Sequence, residues 1–163
     1  MITKFKGTWM SNFWPAPVVL EGERYECVEA GYQASKTLDP EIREQIRRLP
    51  SAAAAKRFGK RIGRSIPFRP AWNDDLKLEV MRDLLRKKFT DPDLRQRLIA
   101  TGDEELVEIN FWHDQVWGRC SCAKCGGAGK NWLGRLLMQL REECRSQDAR
   151  IIVGEHWRLP RAA

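Results

Sequence analysis

The apolar positions change period along the chain. From residue 76 to 89 they fall at Leu76, Val80, Met81, Leu84, Leu85 and Phe89, one face of a helix with charges between them. A helix is therefore predicted after Trp72. Asp91-Pro92 marks the start of the next, which ends near Gly102. Leu133, Leu136, Leu137 and Leu140 repeat the spacing in a last helix, with Asn131 placed as its cap. Three shorter helices precede these. "EAGYQASKTL" is one, Pro40 opens "PEIREQIRRL", and Ser51 caps "AAAAKRFGKRI". Strand-like stretches are few. "APVVLEGERYECV" carries two β-type runs around Glu21-Gly22-Glu23, a hairpin pattern, "ELVEINF" alternates as a strand does, and "RIIVG" near the end reads as another strand. No regular βαβ rhythm joins these elements. The expected class is α+β: a mainly helical single domain with short β-strands over residues 1–150, followed by a tail, 151–163, ending in the disorder-prone "EHWRLPRAA".

Charge adds a direction to this picture. The chain has 163 residues with 29 basic and 22 acidic side chains, a formal net charge of +7. Residues 51–69 hold six basic side chains (Lys56, Arg57, Lys60, Arg61, Arg64, Arg69) and no acidic one. Such a run suits phosphate-bearing partners, and it is equally the mark of a solvated helix face. Nothing approaches the roughly 18 apolar residues of a membrane span, and the start, "MITKFKGTWM", lacks an apolar signal core. The expected location is intracellular, in the cytoplasm, with no membrane partner.

Candidate chemistry gathers at a few places. Glu29, Gln33 and Lys36 lie at i, i+4 and i+7, so a carboxylate, an amide and an ammonium share one helix face. Alone, Glu29 near a helix start also has a plain role, favouring the positive end of the helix dipole. Asp114 precedes Trp117-Gly118 in a polar stretch and is either a turn former or a second acidic group. A pair of carboxylates suits a glycosidic carbon, which gains positive charge as its bond breaks. Among seven tryptophans, Trp72 and Trp117 lie near element ends with polar neighbours, where an indole either stacks on a base or packs in the core. "GGAGKN" before the last helix has the makings of an anion site: glycine amides, free N–H groups at a helix start and Lys130.

Five cysteines are present, three of them in the run Cys120, Cys122, Cys125. In a cytoplasmic chain this is not a disulfide framework. The run is either a reduced, metal-free loop or part of a structural zinc site. Zinc would need a fourth ligand, for which His113, Cys27 and Cys144 are the candidates.

Read in order, these segments resemble the NADAR family, also called YbiA-like. The matching pieces are "SNFWPAPV" from Ser11, "E-x-x-x-Q-A-x-K" from Glu29, "AAKRFGK" from Ala54, "RPAW" from Arg69, "VMRDLLRKKF" from Val80, "TGDEELVE" from Thr101, "D-x-x-WG" from Asp114 and "GKNWLGRLLMQLRE" from Gly129. The resemblance implies a helical α+β domain with a polar cleft and an N-glycosidase activity without a cofactor, structural zinc being the alternative. It implies Glu29 and Asp114 as the catalytic pair. It also implies a ligand-binding set of Asn12, Phe13, Gln33, Lys36, Trp72, Trp117, Gly118, Lys130 and Asn131. The expected substrates are ADP-ribose adducts, above all guanine-linked ones in DNA or RNA, or related ribosyl phosphates. Riboflavin-synthesis intermediates are one alternative, and a non-catalytic module that binds ADP-ribose or nucleic acid is another. Two features depart from the family pattern: Ala30 stands where many members have histidine, and the glycine loop is longer and carries the cysteines.

Overall fold

The computed structural model describes residues 1–2 and 5–156; Trp157 and the rest of the tail, 157–163, lie outside the described residues. Among the described residues there are six helices and two minimal sheets. Strands β1 (Val18–Leu20) and β2 (Glu23–Tyr25) form the expected antiparallel hairpin, with Val18 opposite Tyr25. Its turn is made by Glu21 and Gly22, both at positive φ, the geometry that matches the right-handed twist of the strands.

Helix α1 (Val28–Ala34) is the centre of the molecule, and every one of its residues is buried. It packs on α2 (Pro40–Arg47), α3 (Ala52–Gly59), α4 (Asp74–Lys88) and β1. Gly31 makes this close approach feasible, because a Cβ there would already touch Leu84 and Val18 at 3.1 and 3.3 Å. The predicted starts are chemically clear: Asp39, Ser51, Asn73 and Asp91 each accept hydrogen bonds from amides of the first turn of α2, α3, α4 and α5 (Pro92–Ala100). On α4, Met81, Leu84 and Leu85, followed by Phe89, turn into the core as their spacing predicts.

Two strand expectations fail. Residues 151–153 belong to helix α6 (Trp132–His156), not to a strand. No glycine or proline interrupts residues 135–153, so helix propagation overrides the β preference of Ile151, Ile152 and Val153. "ELVEINF" contributes only β3 (Ile109–Asn110), paired in parallel with β4 (Arg119–Cys120), and a bridge from Leu106 to Ile2. Leu106 and Val107 are both fully buried, so this segment is enclosed on two sides rather than alternating on one sheet face.

Asn131 does not act as a simple cap. It sits at positive φ and reaches across to the 106–108 segment, accepting from Glu108 N at 3.0 Å and donating to Leu106 O at 2.9 Å. Gly134 lets that segment pass, since a Cβ there would stand 2.0 Å from Leu106 O. No described helix is long and apolar enough to cross a membrane.

Candidate active site

Helix α1 carries the first half of the site. Its first turn places Glu29, and one turn later Gln33 Nε2 donates to Glu29 Oε1 at 2.8 Å. The backbone N–H of Glu29 donates to Asn12 O at 3.0 Å, which ties the 11–14 turn to the start of the helix. Glu29 is only 7% exposed. Burial pushes its carboxyl above the ordinary 4.5, and the charge of Asp114 adds to that rise. The Gln33 hydrogen bond and the ammonium groups of Lys56 and Lys36 oppose it.

A cleft of about 220 Å³ opens over this pair, lined by Asn12, Glu29, Tyr32, Gln33, Lys36, Lys56, Lys60, Met81, Asp114 and Trp117. The structure thus brings together six of the expected residues: Glu29, Asp114, Asn12, Gln33, Lys36 and Trp117. Two amide oxygens in the lining, Asn12 Oδ1 and Gln33 Oε1, are buried and make no hydrogen bond among the described residues. A buried acceptor without a partner is costly, which suits Asn12 Oδ1 to a donor on a ligand, whereas Gln33 Oε1 is turned toward Gly59. The cations come from Lys36, just past the end of α1, and from Lys56 in α3 and Lys60 at its C-terminal end. Burial lowers the Lys36 ammonium pKa, with Glu29 acting against that shift.

The second half of the site is the 110–131 segment. Asp114 Oδ1 accepts from Val116 N at 3.0 Å and Trp117 N at 2.9 Å, closing a tight turn. Asn110, buried and absent from the sequence-based candidates, grips the same residue from the other side. Its Nδ2 donates to Asp114 O at 2.7 Å and its Oδ1 accepts from Asp114 N at 3.1 Å. Trp117 meets the Tyr32 ring edge-on at 5.4 Å, and Tyr32 meets Trp72 at 5.9 Å. Trp72, stacked on Phe68, therefore backs Tyr32 rather than lining the cleft. Phe13 lies at the rim, with Lys56 Nζ 5.6 Å above its ring and 5.5 Å from that of exposed Trp112.

Several expected ligand contacts are placed elsewhere. Most amides of the glycine loop and the start of α6 are already bonded. Lys130 N, Trp132 N and Leu133 N donate to the carbonyls of Gln115, Val116 and Trp117. Gly126, Gly127 and Ala128 are likewise bonded within their own loop. The anion-site reading of "GGAGKN" is therefore cut back: folding has used most of those donors. Lys130 is exposed, outside the cleft lining, and its charge acts on Asp74. Gly118 is a packing position, because a Cβ there would stand 2.3 Å from Glu108 O, and Asn131 is occupied by the 106–108 backbone.

Sequence reasoning missed Tyr32, Lys56, Lys60, Asn110 and Glu108 as individual site residues. The i, i+4 spacing of the two lysines within the basic run was the available signal for them; Asn110 offered none. Glu108 is a third carboxyl within electrostatic reach. Burial, then the charges of Asp114 and Glu29, push it up to about 7 against the pull of Lys56.

The cysteine run folds into a compact cluster with His113. His113 Nδ1 and the Sγ atoms of Cys120, Cys122 and Cys125 lie within 4.8 Å of one another, a group that could hold a metal ion. Of the three candidates for a fourth ligand, the structure brings in His113 and leaves Cys27 and Cys144 buried elsewhere.

A profile of the NADAR domain matches residues 3–145. The chain belongs to the NADAR family. N-glycosidase YbiA of Escherichia coli (strain K12) is 42% identical over 134 residues, 82% of this chain and 79% of that protein. The NMR structure of E. coli YbiA superposes with a TM-score of 0.73 at 39% identity, covering 86% of this chain and 80% of that one. A riboflavin biosynthesis protein of Vibrio vulnificus (strain YJ016), VVA0006, is 36% identical over 83% of this chain, which spans only 35% of that longer protein. The mainly helical α+β class is thus shared with a solved NADAR member.

Proposed function

We propose that the chain is an N-glycosidase, hydrolysing the bond between a ribosyl carbon and a nitrogen base in ADP-ribosyl or ribosyl-phosphate adducts. The observation that carries this is buried Glu29, oriented by Gln33 and facing Asp114 across a cleft with three lysines. As the glycosidic bond stretches, positive charge develops on the ribosyl carbon. An ionised Glu29 stabilises that charge, or takes a proton from the attacking water. Asp114, held by Asn110, positions the water or a ribose hydroxyl. Asn12 Oδ1 accepts from a ribose hydroxyl, and Lys36, Lys56 and Lys60 bind phosphate. Tyr32 and Trp117 wall the site from bulk water.

At about 220 Å³ the cleft is smaller than common drug-sized pockets, which begin at roughly 300 Å³. It fits the reacting sugar and one neighbouring group, with the remainder of a larger adduct lying over Phe13, Lys56 and Trp112 at the rim. The likeness to a protein named for riboflavin biosynthesis supports a second reading, in which the substrate is a phosphorylated ribosylaminopyrimidine.

Wild type and Glu29→Gln should be incubated separately with guanine-ADP-ribosylated DNA and with ribosylaminopyrimidine phosphates. Release of ADP-ribose or ribose phosphate is followed by chromatography and mass spectrometry. Release by wild type but not by the variant supports the glycosidase, and the substrate released names its class. Intact substrate recovered from both, with binding retained, would replace it with a non-catalytic binding module.

A further inference from the structure

We propose that His113, Cys120, Cys122 and Cys125 bind one structural zinc ion, and that this ion fixes the loop that presents Asp114 to the cleft. The site goes beyond the glycosidase reading, since its existence does not depend on what the cleft cleaves.

The four ligand atoms lie close to the spacing that a tetrahedral site needs. Zinc sits about 2.3 Å from thiolate sulfur and about 2.0–2.1 Å from imidazole nitrogen. Those radii at tetrahedral angles put neighbouring ligand atoms roughly 3.5–3.8 Å apart. Here His113 Nδ1 lies 3.2 Å from Cys125 Sγ and 3.5 Å from Cys122 Sγ, and no pair in the cluster exceeds 4.8 Å. Three thiolates and one imidazole are a soft donor set that suits zinc and not magnesium or calcium. Four protein ligands leave no open position, which makes the site structural rather than catalytic.

The backbone is organised around the same four groups. Cys122 O accepts from Cys125 N at 3.0 Å and Gly126 N at 2.9 Å, and Cys120 O accepts from Gly127 N at 2.8 Å. Gly126 and Gly127 take positive φ to close this turn. It folds Cys122 and Cys125 back beside buried Cys120. Gln115 Nε2 donates to Cys125 Sγ at 3.1 Å, an outer-shell hydrogen bond of the kind that tunes a metal-bound thiolate. His113 is a non-glycine residue at φ 66°, a conformation with a cost of about 1–2 kcal/mol, and it turns the ring onto the three sulfurs.

The chain connection gives the site its consequence. His113 immediately precedes Asp114. Asn110 holds Asp114 by its backbone on one side, and the metal would anchor the adjacent residue on the other. Release of the ion would free His113 and the 121–128 turn, leaving Asp114 held on one side only, by Asn110.

The test begins with protein purified without chelator or added zinc. Elemental analysis should find about one zinc per chain in wild type and in Cys144→Ser, a buried cysteine outside the cluster, and little in Cys122→Ser. Cobalt substitution should give the intense visible d–d bands and near-ultraviolet thiolate charge transfer of a tetrahedral site, which requires no variant to fold. Hydrogen exchange of residues 110–131 should accelerate on chelation and recover with zinc, with residues 28–34 unchanged. Less than about half an equivalent of zinc, before and after reconstitution and gel filtration, would overturn the site. So would full zinc content in folded Cys122→Ser. Unchanged exchange in 110–131 after complete metal removal would overturn the loop-fixing role. None of these readouts uses turnover, so failure of the glycosidase reading leaves them intact.

Discussion

Gln33 Nε2 donates to Glu29 Oε1 at 2.8 Å, while Gln33 Oε1 has no hydrogen-bond partner among the described residues. One amide thus steadies the ionised carboxylate while its oxygen packs against Gly59. Because this hydrogen bond lowers the Glu29 pKa against burial, its loss has a defined sign. In wild type the acid limb of kcat/KM should lie above pH 4.5. Gln33→Met, similar in volume but without the donor, should move that limb further up and lower the plateau by about 10-fold or more, the loss of roughly 1.4 kcal/mol of transition-state stabilisation. A pH–rate profile of both proteins checks it; a limb unchanged in position would remove Gln33 from control of Glu29.

Gly59 faces that same amide. A Cβ at position 59 would stand 1.8 Å from Gln33 Oε1 and 2.4 Å from its Cδ, so Gly59→Ala must push the Gln33 side chain away from Glu29. Alanine is also the better helix former, by about 1 kcal/mol. The expected result is a protein of near-normal melting temperature with turnover reduced about as far as in Gln33→Met. A fully active Gly59→Ala enzyme would mean that the amide relocates without consequence.

The sequence made some of this legible and hid the rest for physical reasons. Helix α4 was readable because its apolar period and the start after Trp72 agree. The first half of the site was readable because Glu29, Gln33 and Lys36 follow one another at helical spacing, although α1 itself ends at Ala34. The second half was not. Asp114 enters the cleft through a loop held by Asn110, a contact between side chain and backbone that leaves no period in the sequence. The glycine loop misled for the complementary reason. The amides of Lys130, Trp132 and Leu133 that follow it looked free because the carbonyls that take them, at Gln115, Val116 and Trp117, belong to an irregular stretch whose path the sequence does not reveal. His113 was one of three equal candidates for the fourth ligand until the fold chose it.

Glu108 gives stability a pH dependence. Its carboxyl is raised from the ordinary 4.5 to about 7, first by burial and then by Asp114 and Glu29. Between those values the folded protein holds a proton that the unfolded chain has released. Stability therefore falls as pH rises from about 4.5 to about 7 and stays low above. Glu108→Gln should flatten that segment of a Tm-against-pH curve and raise Tm at pH 8. An unchanged slope would show that Glu108 ionises freely in the folded state.

Lys88 sets the opposite slope at higher pH. It is 1% exposed, and its Nζ donates to Ser11 O at 2.7 Å, pinning the turn that carries Asn12 into the cleft. Burial lowers its pKa from 10.5 to about 7, with only a small opposing effect from Cys27. Between these values the unfolded chain binds more protons than the folded one, so stability rises with pH across the window and the full burial cost applies below it. Lys88→Met should abolish the rise between pH 7 and pH 10 in denaturant titrations. It should also leave Ser11 O without its donor, at a cost of about 1–3 kcal/mol that offsets the removed charge burial at neutral pH. The signature of this residue is therefore a changed slope with little change in stability near pH 7. A variant uniformly less stable at every pH, with the slope intact, would mean that Lys88 stays protonated in the fold and serves only as a strut for the Ser11 turn.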